Sequence, residues 1–276
     1  MIGKSGNRPV SYSKSQLTRH VAVVGASGSG KTVMCKILLE DLLAGGIPVI
    51  AIDPKGDIGS VAVVDKQFDF RPFVAKQRAE KCKREYTEHV VNKDAIPKIA
   101  SVHTNIYTPK SSYGKQVRLM PHLHAPKKVT AEVMAMLAET TADSLLQLCS
   151  VSGGKAEQYR SFLTALLIHG WDAKKDYTLP LLIEEVLTPP VDQVGSLSVD
   201  DFVKEADRKK LAGLLNVILT NPSKQVWAQG EQLDASAMLK RGTLSVFDIR
   251  FCTNAERQFV VEQILQELIA YVFKRR

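Results

Sequence analysis

Two hydrophobic periods alternate along the chain. Short apolar runs closed by Gly, Pro or Asp predict buried strands at His20–Val24, Ile47–Ile52, Ile99–Thr108 and Thr243–Ile249, with Val117–Leu119 as a short partner. Between the first two runs, Val33, Met34, Ile37, Leu38 and Leu42 recur every three or four residues, which marks one face of a helix. Gly45 and Gly46 end that helix, where left-handed backbone is cheap. From Pro121 to about Arg241 the helical period dominates, over Val129–Leu148, Ala156–Trp171, Leu179–Leu187 and Arg208–Leu219. The breaks fall at Gly153-Gly154, Pro189-Pro190 and Asn221-Pro222. Thr253-x-x-Glu256 is a capping box that opens a long final helix, and Val261, Leu265, Leu268 and Val272 predict its buried face.

Strand, helix, strand in succession predicts a right-handed βαβ unit, hence an α/β fold with a mostly parallel sheet. The expected division is an N-terminal core over residues 1–120, an all-helical insertion over 121–240, and a return to the core over 241–276. Residues 1–18 read as a loose lead-in or a peripheral strand. Residues 72–95 alternate charge, as Glu80 and Arg84 do, which reads as a solvated helix face. Trp171 and Trp227 are expected as anchors in a core or lid.

Composition changes this picture little. The chain has 276 residues, 45% hydrophobic and 24% charged, so it can bury a sizeable core. No segment approaches the roughly 20 apolar residues that span a bilayer, and the N-terminus lacks the apolar core of a secretory signal. Cys35, Cys82, Cys149 and Cys252 have no metal-site spacing, so reduced, buried thiols in the cytoplasm are expected. A net charge of +8 permits a polyanionic partner. Aromatics are 7% and read as not interleaved with Lys or Arg, so phosphate contact rather than base stacking is the expected mode toward nucleic acid. His122 and His124 lack neighbouring ligands at metal spacing, and no Ser/His/Asp or Cys/His set has a recognisable context.

The chemistry concentrates between the first strand and the first helix. Gly25-Ala26-Ser27-Gly28-Ser29-Gly30-Lys31-Thr32 fits G-x-x-x-x-G-K-[ST] without substitution. In strand–loop–helix context the glycines let backbone amides surround a phosphate, and the helix start aims unpaired N–H groups and its dipole at the same anion. Lys31 adds charge near the β- and γ-phosphates, and Thr32 offers a hydroxyl to Mg²⁺. The cofactors expected are therefore ATP and Mg²⁺. Asp53 is expected at the carboxyl end of the second strand, on the edge where ligands bind in open α/β sheets. It can serve there beside the nucleotide, or simply as a turn-forming carboxylate before Pro54.

His20 to Thr32, Gly45-Gly46-Ile47-Pro48-Val49 and Asp53-Pro54-Lys55-Gly56-Asp57 resemble the HerA/FtsK superfamily of P-loop ATPases. Ile106 to Ser111, Trp227 to Glu231, Asp248-Ile249-Arg250 and Glu256 to Phe259 are similar to its HerA-like branch. The resemblance implies a RecA-like fold, ATP with Mg²⁺, a homo-oligomer forming a hexameric ring, and double-stranded DNA as cargo. It carries over Gly25 through Thr32 as phosphate binders and Asp53 as a neighbour. The arginine completing a neighbour's site is open among Arg160, Arg208, Arg250 and Arg257.

The family also has an apolar strand ending Asp-Glu, which supplies the base for hydrolysis, and this sequence has none. Asp53, Asp65 and Asp248 each end an apolar run without a following Glu. The expectation is an N-terminal portion of a longer ATPase that binds nucleotide and turns it over weakly alone. A nucleotide-binding module that scaffolds a partner without hydrolysis is the alternative. A small-molecule P-loop kinase is a third reading.

Overall fold

The computed structural model describes residues 3–5, 7–64, 80–81, 96–111 and 113–274. Its main elements, in chain order, are β1 (Gly3–Ser5), β2 (Arg8–Val10), α1 (Lys31–Ala44), β3 (Val49–Asp53) and β4 (His103–Tyr107). Then follow α2 (Ala131–Leu148), α3 (Gly154–Asp172), α4 (Leu179–Leu187), α5 (Glu205–Thr220), β5 (Thr243–Asp248) and α6 (Asn254–Lys274). The chain divides into two compact units, one of residues 1–117 and 233–252, the other of 118–232 and 253–276.

The first unit is built on a parallel sheet in the order β3-β5-β4. All six residues of β5 are buried, as its place between two parallel neighbours requires. Register sets Val49 beside Leu244 and Asp53 beside Asp248, and on the other flank His103 beside Thr243 and Tyr107 beside Phe247. One sheet face supplies Ala51, Ile106, Leu244 and Val246 to a core shared with Leu39 and Leu43 of α1 and with Val61, Ala62, Ile99 and Val102. β1 and β2 form an antiparallel pair within the lead-in. Tyr12 ties that lead-in to α1 through a 2.8 Å bond from its hydroxyl to Asp41; burial first, then Asp41, raises the phenol to about 12.

Several expectations are corrected. His20–Val24 is not a strand: it has no sheet partner among the described residues, and Val21 is 55% and Val24 87% exposed. The place beside β3 is filled by β5, so the neighbour of the second strand comes from late in the chain. The Ile99–Thr108 run splits into a helical turn at Ile96–Ile99 and β4. The apolar run before Asp65 lies in a 3-10 helix, Ile58–Val64, which puts Val61 and Ala62 into the core. Asp65, Cys82 and nearly all of residues 72–95 lie outside the described residues. In α1 the buried side chains are Ile37, Leu39, Glu40 and Leu43, while Val33 is 48% exposed. Apolar residues ring this helix, so periodicity alone leaves its rotation undecided. Its end follows expectation: Gly46 N–H donates to Leu43 O and Ile47 N–H to Leu42 O, closing the last carbonyls.

The second unit is largely helical, with α2 against α3, α4 against α5, and α6 against α2. Thr130 and Thr178 cap α2 and α4. Trp171 is buried and donates from Nε1 to Leu123 O at 3.0 Å; Trp227 is buried edge-on to Phe259 at 5.4 Å between centroids. Tyr177 packs on Gly170 and bonds Leu166 O and Glu185, which, after burial, pushes its phenol above the ordinary range. The box at Thr253 and Glu256 forms as expected, with Thr253 N–H donating to Glu256 Oε2 at 2.8 Å. The buried face of α6 is nevertheless Phe259, Val260, Gln263 and Ile264. Leu265 and Val272, expected inside, are each 50% exposed. α6 groups with this unit.

Candidate functional site

The loop from Gly25 to Gly30 leads directly into α1, whose first residue is Lys31. Gly28 and Gly30 have φ of +78° and +84°, conformations that side chains with a Cβ disfavour, and an added Cβ at either would meet nothing within 4 Å. Glycine is therefore required here for backbone direction rather than for space. The Ser29 amide donates to Ala26 O at 3.3 Å. Among the described residues, no backbone carbonyl takes the amides of Gly28, Gly30, Lys31 or Thr32. Those donors lie at the positive end of a 14-residue helix, a setting that suits a phosphate.

Lys31 is turned back onto its own loop. Its Nζ donates to Gly25 O at 2.8 Å and to Ala26 O at 2.5 Å. An ammonium in that position can exchange these two carbonyls for phosphate oxygens. Thr32 follows in the first turn, half-buried. Ala26, Ser27 and Ser29 form the exposed rim of the loop. The donor set is the chemistry a nucleotide phosphate tail requires, and a hydroxyl next to the lysine is the ligand type Mg²⁺ takes.

Asp53 ends β3, as its place after an apolar run predicts. Its carboxylate is 2% exposed and fully engaged by the following turn. Oδ1 accepts from the amides of Lys55 at 3.2 Å and Gly56 at 2.8 Å; Oδ2 accepts from Ile58 at 2.7 Å and Gly59 at 3.4 Å. The aspartate thus folds the Pro54–Gly59 turn.

Beside it in register stands Asp248, held by Arg250 through Nε at 2.9–3.0 Å and Nη2 at 2.5 Å. The guanidinium is raised above its ordinary value, first by these bonds and then, against burial, by the charges of Asp248, Asp53 and Asp57. It crosses Gly56, where a Cβ would come within 2.1 Å of its central carbon. Sequence reading named Asp248 and Arg250 only as open candidates. Register across strands far apart in the chain makes them a pair beside Asp53.

Two of the other candidate arginines are engaged by named partners within the chain. Arg160 pairs with Asp143 and Glu157, and buried Arg208 with Asp200 and Val203 O. His124 lies 3.7 Å from exposed Asp176. Among the described residues no helix is long and apolar enough to cross a membrane.

A family model described as "Helicase HerA, central domain" matches residues 2–268. Comparison with curated proteins finds no match.

Proposed function

The chain belongs to the HerA central-domain family, P-loop ATPases of the HerA/FtsK type with a RecA-like α/β fold, and from that premise we propose that it binds ATP with Mg²⁺ and serves as a motor on double-stranded DNA. The observation that carries the nucleotide half is the set of loop amides that meet no backbone carbonyl, placed at the start of α1 with Lys31 folded over the loop. In this reading Gly25, Ala26, Ser27, Gly28, Ser29 and Gly30 wrap the phosphates with backbone donors. Lys31 leaves its two carbonyls to neutralise them. Thr32 holds Mg²⁺ through its hydroxyl, and bound Mg²⁺ offsets the charge of the β- and γ-phosphates. Asp53 acts by holding the Pro54–Gly59 turn in place.

The DNA half rests on the family and is supported by the net charge of +8. A homo-oligomeric, hexameric ring is part of the same proposal and rests on the family. Among the described residues Cys35, Cys149 and Cys252 form no disulfide, which supports a reducing, cytoplasmic setting. Cys35 is exposed, against the expectation of buried thiols, whereas burial raises the Cys149 thiol to about 12.

A specific observation favours the second reading, a binding module without turnover. The carboxylates of Asp53 and Asp248 are both committed, one to amides and one to a guanidinium, so neither is placed to take a proton from water.

The deciding experiment is titration with a fluorescent ATP analogue plus Mg²⁺. Lys31→Ala removes a charge-assisted contact, so affinity should fall about tenfold to a hundredfold. Unchanged affinity in a folded variant refutes the site.

A further inference from the structure

Phe251 and Tyr113 are large aromatic residues left more than half open, at 54% and 55% exposure. They lie far apart in sequence, yet their ring centroids are 6.3 Å apart with planes tilted by 31°. Each follows a strand of the parallel sheet at its carboxyl end, Phe251 after β5 and Tyr113 after β4. The Arg250 guanidinium lies 5.7 Å from the centroid of Phe251, within cation–π range.

The platform is built rather than incidental. Arg250 is fixed by its bidentate hold on Asp248. The loop that carries Tyr113 is tied at several points. Thr108 N–H donates to Lys115 O at 2.9 Å, and Lys115 N–H to Ile106 O at 2.8 Å. Thr108 Oγ1 donates to Ser111 O at 2.6 Å and accepts from Gly114 N–H at 3.0 Å. Gly114 passes so near the strand that a Cβ would sit 2.6 Å from Ile106 O. The ordering cost of presenting the ring is therefore met on folding, and a ligand need not supply it.

The same loop reads Lys110-Ser111-Ser112-Tyr113-Gly114-Lys115, an aromatic between two lysines. This corrects the expectation that no stretch interleaves the two residue types. Exposed π-faces beside a guanidinium, on a loop with two cations, suit a planar base attached to a phosphate chain. In a duplex the base faces are covered by their neighbours, so stacking on a protein ring requires an unpaired base.

We propose that Tyr113, Phe251 and Arg250 form a stacking platform for an unpaired base of a single nucleic-acid strand, with Lys110 and Lys115 serving its phosphates. The inference rests on the rings, the guanidinium and the loop cations, and not on the nucleotide reading.

The test measures fluorescence anisotropy of a labelled oligothymidine with the whole chain, without nucleotide. Tyr113→Ala and Phe251→Ala should each weaken binding about tenfold, while Tyr113→Phe keeps it, because stacking needs the ring and not the hydroxyl. Both positions are exposed, so melting followed by circular dichroism should be unchanged. A base-less deoxyribose-phosphate strand should bind the wild type more weakly than oligothymidine and should not sense Tyr113→Ala. Lys110→Ala should reduce the salt slope by about 0.7 and Tyr113→Ala should leave it alone. Equal binding of the base-less strand, equal competition by blunt duplex, or unchanged affinity in both alanine variants overturns the proposal. Loss of affinity for a fluorescent ATP analogue in Tyr113→Ala, with oligothymidine unaffected, assigns the rings to a nucleotide's adenine and also overturns it.

Discussion

At Asp53 four backbone donors converge on two carboxylate oxygens. Asp53→Asn keeps the shape but replaces one acceptor with an NH₂ group facing amide donors. Leaving buried donors unmet costs about 1–3 kcal/mol. The variant should therefore melt several degrees lower with no nucleotide present, as scanning calorimetry would record. An unchanged melting temperature, with affinity alone reduced, would move Asp53 from the turn to the ligand. Lys31 differs in kind. Its side chain is held by two carbonyls of an exposed loop, so its removal should register in binding far more than in stability. The glycines that take left-handed backbone in the loop, Gly28 and Gly30, were legible residue by residue, because the motif prescribes local backbone geometry. The state of Asp53 was not, since whether a carboxylate is free or saturated depends on where the next six residues turn.

At the scale of the element, helices were read well in extent and poorly in rotation. Leu179–Leu187 has the same bounds in sequence and structure, and Thr253 with Glu256 starts α6. Yet α6 buries Phe259, Val260, Gln263 and Ile264, not the face containing Leu265 and Val272. A helix with apolar residues on more than one side offers several stripes, and the packing partner selects one. Here Gln263 donates to Ser144 of α2 at 2.7 Å, and Phe259 meets Trp227. Ile264, at 1% exposure, should cost about 2–5 kcal/mol when changed to Ala; Leu265, half open, should cost under about 1 kcal/mol. Urea denaturation of the two variants distinguishes the faces, and a reversal of the order restores the stripe read from sequence. Strands show the complementary failure. His20–Val24 has strand composition, but a strand also needs backbone partners, and composition does not supply them.

For the whole molecule, the sheet order decides the chemistry available. Placing β5 between β3 and β4 brings Asp248 beside Asp53 and Phe251 near Tyr113. With both aspartates committed, ATP turnover by this chain should stay near background even with DNA present, measured by phosphate release. Robust DNA-stimulated turnover in the wild type, abolished by Asp248→Asn, would mean that Arg250 releases Asp248 to act as the base.

The amino-acid sequence by itself determined the glycine-rich motif that leads into α1, the end of that helix, the α/β class, the helical character of 121–240 and the family resemblance, because each depends on residues close together in the chain. Only the tertiary structure decided which strands are neighbours, which helix faces are buried, and that Arg250 spans Asp248, Gly56 and Phe251. Those outcomes depend on contacts between distant segments, where many pairings satisfy the same hydrophobic pattern and the geometry of packing selects among them.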